Sequence, residues 1–169
     1  MSDLGFMYEH GHGVEQMYER AREYYEQAAD LGYVNAQFNL GTMYLNGISV
    51  EQSYETAAAL YEQATQQGHT SAMFNLGHMY ANGQGVERDI IKARELFTTA
   101  LALGLGQAID GLKWLDDEER EAAALDPNAI VCSFCGLPQT STRNFDKFKC
   151  PCKSTRYCNT TCQKKHWKE

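Results

Sequence analysis

The apolar positions in the first two thirds of the chain recur at a fixed spacing of 36 residues. The motif Leu-Gly-x-Met-Tyr occurs at residues 4–8, 40–44 and 76–80. Further positions keep the same register, namely Ala21, Ala57 and Ala93, then Ala28, Ala64 and Ala100, then Gly32, Gly68 and Gly104. So many matches in one register indicate an internal repeat.

Within each period the apolar spacing predicts two helices. In the central unit the first helix is expected from about residue 36 to 45 and the second from about 52 to 67. Asn46-Gly47 is a turn signal that ends the first helix, and Gly68 follows the second where a left-handed residue is needed. A single helix pair cannot bury its apolar face, so stacking of successive pairs must supply the stability.

Three sequence features resemble the Sel-one-like repeat, an α/α-hairpin relative of the tetratricopeptide repeat. They are Leu-Gly-x-Met-Tyr, an Asn-Gly-x-Gly-Val-Glu turn, and a second helix with Ala and Tyr or Phe in register, followed by Gly. The tetratricopeptide period is 34, so a period of 36 favours the Sel-one-like form. Ser49 departs from this pattern, because the other units have Gly13 and Gly85. If that position requires a positive φ, Ser49 is mildly strained.

We therefore expect an all-α solenoid of α/α-hairpin repeats followed by a small zinc-stabilised finger poor in helix and strand. Trp114 and Leu115 are apolar, whereas the acidic residues around them provide the polar outer face that a terminal cap needs. The expected boundaries are repeats at about 1–35, 36–71 and 72–107, a capping helix at 108–125, a linker at 126–130 and the finger at 131–169.

Charge and cysteine content divide the chain at the same linker. Residues 1–129 carry 7 Lys and Arg against 20 Asp and Glu, a net charge of −13, whereas residues 130–169 carry 8 against 2, a net +6. All the cysteines lie in the second part, as Cys132, Cys135, Cys150, Cys152, Cys158 and Cys162. The chain is therefore expected to contain two units, an acidic body and a basic tail.

The cysteine pairs indicate a zinc module. A segment of this length usually needs a metal or disulfides to fold. Thiolates in close pairs suit tetrahedral Zn²⁺. A disulfide framework is the weaker alternative, because intracellular thiols stay reduced and the body has no cysteine.

The run Arg156-Tyr157-Cys158-x-x-x-Cys162-Gln163 followed by Trp167 resembles a MYND zinc finger. The resemblance implies that Cys132, Cys135, Cys158 and Cys162 hold one zinc ion. It further implies that Cys150 and Cys152 hold a second zinc ion with a later His and Cys. Here that second pair is separated by one residue rather than the usual two, and the remaining ligands would fall beyond Glu169.

Both ends of the chain cut through motifs, so we expect a fragment of a longer protein. The MYND resemblance implies binding of proline-rich peptides, and the repeats imply a second protein partner. The resulting expectation is an intracellular adaptor, cytoplasmic or nuclear, without catalytic activity or membrane insertion. Two alternatives stay open: nucleic-acid binding through the basic tail, which the scattered lysines disfavour, and a non-catalytic part of a larger MYND-containing enzyme.

The zinc model makes a quantitative prediction. Metal analysis of the purified chain should find one tightly held zinc ion, with a second bound weakly or not at all. Because zinc supplies most of the folding free energy of such fingers, a chelator should unfold the tail and leave the helical body intact. Circular dichroism measures this, with untreated protein as the control. Two tightly bound zinc ions, or loss of most of the helical signal, would contradict the model.

Overall fold

A computed structural model describes residues 2–125, 130–131 and 138–139. The helices are α1 Ser2–His10, α2 Tyr18–Asp30, α3 Val34–Asn46, α4 Tyr54–Gln66, α5 Thr70–Asn82, α6 Ile90–Ala102 and α7 Ala108–Leu125. Two short strands, β1 Ile130–Val131 and β2 Pro138–Gln139, pair antiparallel. The chain divides into two compact units, residues 1–112 and 113–169. None of the described helices is both long and apolar enough to cross a membrane.

The first unit is an α/α solenoid, which confirms the expected repeat fold. Helices α1 and α2, α3 and α4, and α5 and α6 form the three hairpins, and each hairpin packs on the next through α2 with α3 and α4 with α5. We call the first and second members of a hairpin the first and second helix. The predicted helix of residues 36–45 is longer in the structure, and that of residues 52–67 is shorter.

Side-chain caps mark where helices begin, and left-handed glycines mark where the first helices end. Ser53 accepts a hydrogen bond from the Thr56 backbone N–H at 3.2 Å, and Asp89 accepts one from that of Lys92 at 2.9 Å. These caps satisfy amide groups that lack a partner within the helix. At the other end of the first helices, Gly47 and Gly83 adopt left-handed conformations with φ of 68° and 67°.

An aromatic ring from each second helix fills the centre of its hairpin. Tyr25, Tyr61 and Phe97 are each fully buried. Gly77 of α5 lies so close to the ring that an added Cβ would be 2.7 Å from Phe97 Cε1, and at Gly41 the distance to Tyr61 Cε1 would be 2.9 Å. Glycine at these positions therefore makes room for the ring of the second helix.

The Tyr61 hydroxyl in this core has polar partners. Tyr61 Oη lies 3.0 Å from Thr42 Oγ1 and accepts a hydrogen bond from Asn75 Nδ2 at 3.2 Å. Burial raises the Tyr61 pKa, so the phenol stays neutral. The third hairpin has Phe97 in place of tyrosine and Gly111 in the register of Asn75, so the hydroxyl and its amide partner are absent together. At this position the buried hydroxyl and the amide that satisfies it therefore occur together.

The ring contact predicts the effect of adding one methyl group. Gly77→Ala should destabilise the solenoid, because the new Cβ meets a fully buried ring. Overpacking of this kind costs roughly 1–3 kcal/mol, which exceeds the gain in helix propensity of up to about 1 kcal/mol. The urea midpoint of the helical signal measures the change. Gly106→Ala is the matched control, since no atom lies within 4 Å of its added Cβ. Equal midpoints for the two variants would refute the ring-packing explanation.

Candidate functional site

One face of the first helices carries aromatic and imidazole rings together with small polar side chains, at spacings of four residues. The positions are Ser2, Phe6 and His10 in α1, Phe38, Thr42 and Asn46 in α3, and Phe74, His78 and Asn82 in α5. Side chains four residues apart share one side of a helix. We call this set of nine residues the ring face. It is a candidate surface for a protein partner, because aromatic side chains are enriched at protein interfaces.

Rings on this face pack against other rings. Phe6 stacks on His10 with ring centroids 4.1 Å apart, and Phe74 meets His78 edge-on at 4.6 Å. His78 also lies 5.0 Å from the buried Phe97 ring. Burial lowers the pKa of His78, which favours the neutral imidazole. The ring face is therefore fixed in place by the core beneath it.

The end of the ring face is polar in every repeat. Asn46 Nδ2 donates to the Thr42 carbonyl at 2.9 Å, and Asn82 Nδ2 donates to the His78 carbonyl at 2.9 Å. His10 Nδ1 lies 3.1 Å from the Phe6 carbonyl in the equivalent position. Each of these side chains lies against the carbonyl four positions earlier, in the last turns of its helix.

At the junction between the second and third repeats, two side chains of opposite charge meet at a tyrosine hydroxyl. Tyr80 Oη donates a hydrogen bond to Glu62 Oε1 at 2.7 Å. Lys92 Nζ donates to the same Tyr80 hydroxyl and lies 3.7 Å from Glu62 Oε1. Its ammonium is also 4.1 Å from the centroid of the Tyr80 ring, a cation–π distance. These contacts connect α4, α5 and α6.

The junction between the first and second repeats is different. Glu26, which is in the register of Glu62, binds Arg22 Nη1 at 2.7 Å. Tyr44 stands where Tyr80 stands in the next repeat, and Thr56 replaces Lys92. A cavity of about 650 Å³ lies here, lined by Arg22, Tyr44, Ser49, Val50, Glu51, Gln52 and Ser53. The two junctions therefore offer different surfaces despite one shared fold.

Ser49 accounts for part of this difference. It has a φ of 57°, the only positive φ among non-glycine residues of the described chain, and Gly85 in the same register has a φ of 67°. An added Cβ on Gly85 would lie 2.2 Å from the carbonyl carbon of Tyr54. The third repeat therefore needs glycine to approach α4, whereas Ser49 keeps its side chain in the wall of the cavity. Ser49 thus has the positive φ on which its expected strain depends.

The predicted zinc ligands lie outside the described residues. Cys132, Cys135, Cys158, Cys162, Cys150 and Cys152 all fall there, so their pairing stays a prediction. Their chemistry suits zinc, because six thiols in close pairs form the donor set that Zn²⁺ prefers. In the part of the chain that the structure does describe, no group of three or more His, Cys, Asp or Glu side chains could hold a metal ion.

Sequence reasoning did not find the Tyr80, Glu62 and Lys92 group or the cavity. Lys92 is matched by Arg20 in the first repeat but by Thr56 in the second, so the periodic pattern did not single it out. A signal was nevertheless present, because the positions at which one repeat differs from the others can be read from the register. Ser49 was found in that way.

The architecture is that of a helical repeat protein with a separate C-terminal module. Residues 1–33, 34–69 and 70–105 each match the Sel1 repeat model, and residues 132–169 match the MYND finger model. The chain belongs to the Sel1 repeat family, and both resemblances inferred from the motifs are confirmed. Sel1 repeats and MYND fingers are modules that mediate protein–protein interaction.

Solved structures with this fold come from several bacteria. A protective antigen of uropathogenic Escherichia coli strains, described as displaying an SLR fold, is 31% identical over 73% of this chain, with a TM-score of 0.67. A Sel1 repeat protein from Oxalobacter formigenes is 29% identical over 69%, with a TM-score of 0.66. Cysteine rich protein B of Helicobacter pylori is 27% identical over 56%, with a TM-score of 0.53.

The similarity covers only part of the first two of these structures. The chain spans 28% of the Escherichia coli protein and 47% of the Oxalobacter formigenes protein, against 72% of the Helicobacter pylori protein. No curated protein sequence matches the chain.

The comparison of Ser49 with Gly85 predicts that exchanging the residue types at these two positions has opposite effects on the stability of the solenoid. Ser49→Gly should stabilise the solenoid by roughly 0.5–1 kcal/mol, because glycine adopts a positive φ without steric cost. Gly85→Ser should destabilise it by more than about 2 kcal/mol, because the new Cβ must displace the α4 backbone. Urea midpoints of the helical signal measure both variants. If both exchanges shifted the midpoint in the same direction, the proposed origin of the open junction would be wrong.

Proposed function

We propose that this protein is a non-catalytic adaptor that joins two protein partners. The observation that carries the proposal is the presence of three Sel1 repeats and a MYND finger in one chain. Two binding modules in one chain can raise avidity without new contacts, because the second binding event becomes intramolecular.

The repeat body supplies the first binding module. Its ring face offers partly exposed aromatic side chains that the underlying core holds in place, as the contact between His78 and Phe97 illustrates. A surface fixed before binding loses less conformational entropy when a partner docks. The net charge of −13 over residues 1–129 favours a partner with a basic surface and speeds encounter with it.

The finger supplies the second module and binds proline-rich peptides. Cys132, Cys135, Cys158 and Cys162 hold its structural zinc ion, and Cys150 and Cys152 contribute to a second site. A site closed by four cysteines leaves no coordination position for water, so this zinc stabilises the fold and does not act in catalysis. Proline-rich peptides suit such a module, since their preformed polyproline conformation limits the entropy lost on binding. We assign the adaptor to the cytoplasm or nucleus.

The charge of the tail favours one competing function. Residues 130–169 carry a net +6, which would attract the phosphates of a nucleic acid. Four zinc-bound thiolates lower that charge, and the lysines of the tail are scattered along it. Protein binding is therefore the better-supported function, and a salt titration separates the two.

The adaptor proposal predicts that the finger, and not the helical body, binds proline-rich peptides. Labelled proline-rich peptides should bind the zinc-loaded chain saturably, and the same peptides with alanine in place of proline should not. Cys132→Ser should abolish this binding while the helical circular dichroism of the body persists. Fluorescence anisotropy measures the affinity, with duplex DNA as a second probe.

Two results would overturn this assignment. One is DNA binding with a steep salt dependence together with no preference for proline-rich peptides. The other is affinity capture from cells, using a version with a complete finger, that yields no reproducible protein partner.

A further inference from the structure

The junction between the second and third repeats contains a bound lysine ammonium. Lys92 Nζ donates to the Tyr80 hydroxyl and lies 3.7 Å from Glu62 Oε1. The ammonium also lies 4.1 Å from the centroid of the Tyr80 ring, where the negative face of the ring attracts it. A carboxylate and a tyrosine therefore form a complete ammonium site in this fold.

The junction between the first and second repeats keeps the carboxylate and the tyrosine but not the lysine. In the registers of Glu62, Tyr80 and Lys92 it has Glu26, Tyr44 and Thr56. The side chain of Thr56 ends at its hydroxyl, which lies 2.9 Å from Ser53 Oγ. The first junction therefore has the acceptors of an ammonium site without a counterpart of the Lys92 ammonium.

Tyr44 is accessible where its counterpart is covered. Tyr80 is 8% exposed, whereas Tyr44 is only partly buried and lines the cavity of about 650 Å³ between the first two repeats. Within the described part of the chain, no side chain is hydrogen-bonded to the Tyr44 hydroxyl. That hydroxyl can therefore accept a hydrogen bond from a ligand in the cavity, and the ring beside it can attract a cation.

Arg22 is the cation that could take the place of the lysine, but its contacts leave the Tyr44 side chain unoccupied. Arg22 Nη1 binds Oε1 of Glu26 at 2.7 Å. Neither a hydrogen bond nor a cation–π contact joins Arg22 to Tyr44, both of which the structure describes. The Glu26 side chain is 37% exposed, and a carboxylate can accept more than one hydrogen bond. Glu26 can thus bind a second cation.

The charges around the cavity favour a cationic ligand. Two carboxylates, Glu26 and Glu51, lie at the cavity with one cation, Arg22. Gln52 in the cavity wall is neutral, whereas Arg88 in its register carries a positive charge at the next junction. A carboxylate ligand would add a third negative charge, whereas an ammonium balances the second carboxylate.

We propose that the cavity between the first and second repeats binds the ammonium group of a lysine side chain. The ammonium donates to Tyr44 Oη, lies on the Tyr44 ring and pairs with Glu26, as that of Lys92 does at the next junction. The inference goes beyond the adaptor proposal, because it assigns a ligand to a site inside the solenoid whichever chain supplies the lysine.

Two capped amino acids test the inference with the whole chain. The probe is Nα-acetyl-lysine methylamide. The matched control is Nα-acetyl-norleucine methylamide, which has a methyl group in place of the ammonium. In a nuclear magnetic resonance titration, the lysine probe should cause saturable shifts of the Tyr44 ring and of the Ser49 and Val50 amides. Its affinity should be at least fivefold higher than that of the control.

A substitution at Thr56 should fill the site from within the chain. Thr56→Lys places a lysine in the register of Lys92 and should lower the affinity for the lysine probe at least fivefold. Gln66→Lys is the matched control, because it adds the same charge at an exposed position at the other end of α4. Salt screens a charge at that distance, so the affinity should change less than twofold.

The reverse substitution should create a second site. Lys92→Thr removes the ammonium from Tyr80 and Glu62, so the lysine probe should then shift the Tyr80 ring resonances, which it leaves unchanged in the unmodified chain. The Lys92 side chain is 45% exposed, so the helical circular dichroism should persist in this variant.

Contacts in the free chain identify the source of the lysine. Nuclear Overhauser effects between the Tyr44 ring and a lysine of the chain itself would assign the site to an internal lysine, and the probe would then bind only when that lysine is replaced. Without such effects, binding of the probe assigns the site to a lysine of another molecule. Both results support the ammonium site.

Four results would overturn the inference: no saturable binding in the absence of an internal contact, equal affinity for the lysine and norleucine probes, an unchanged affinity in Thr56→Lys, or no shift of Tyr80 in Lys92→Thr. Tighter binding of Nα-acetyl-glutamate methylamide would assign the cavity to the Arg22 guanidinium and also overturn it. The adaptor proposal fails separately, on its own peptide-binding and affinity-capture experiments.

Discussion

The aromatic ring of each second helix packs directly on a glycine of its paired first helix, and the solenoid depends on this contact. The ring needs the volume that a side chain at Gly5, Gly41 or Gly77 would occupy. Once it is seated, the flanking alanines bring the helices into contact, and the next hairpin can pack on the other side. Because no hairpin buries its apolar face alone, the same contact also sets how successive repeats stack.

Differences between the repeats arise around this common core. The Tyr80 hydroxyl is held by Glu62 and Lys92, whereas at the preceding junction Arg22 takes the equivalent glutamate and a cavity opens. Such changes do not disturb the ring contact, so they alter the surface without altering the fold. A repeat scaffold can in this way present several distinct binding surfaces from nearly identical units, which suits a protein that joins partners.

The boundary between the Sel1 repeats and the MYND finger coincides with the change from acidic to basic sequence. The acidic body and the basic, cysteine-rich tail correspond to two modules with different means of folding. The body buries apolar surface by stacking, whereas a tail of this length requires a metal ion to compensate for its small core. Their binding functions can therefore change independently.

The sequence by itself determined the repeat, its helices and the residues of its core. The reason is that the register repeats three times, so the periodic signal at Leu40 or Tyr61 is confirmed by its counterparts in the other units. The run from Arg156 to Trp167 indicated the class of zinc finger, which the MYND finger match confirms, while the assignment of the cysteines to zinc ions stays a prediction. The predicted helix ends differ from the observed ones by one or two residues, because capping by residues such as Ser53 depends on single side chains.

Tertiary structure decided which surfaces remain open. Leu4 and Leu40 are identical in type and register, yet Leu4 is 42% exposed and Leu40 is 6% exposed. Leu40 is buried through its contacts with α2, and the pattern along the chain does not show which elements come into contact. The cavity beside Arg22, which Ser49 lines with a positive φ, is likewise a feature of the folded chain and not of the periodic pattern.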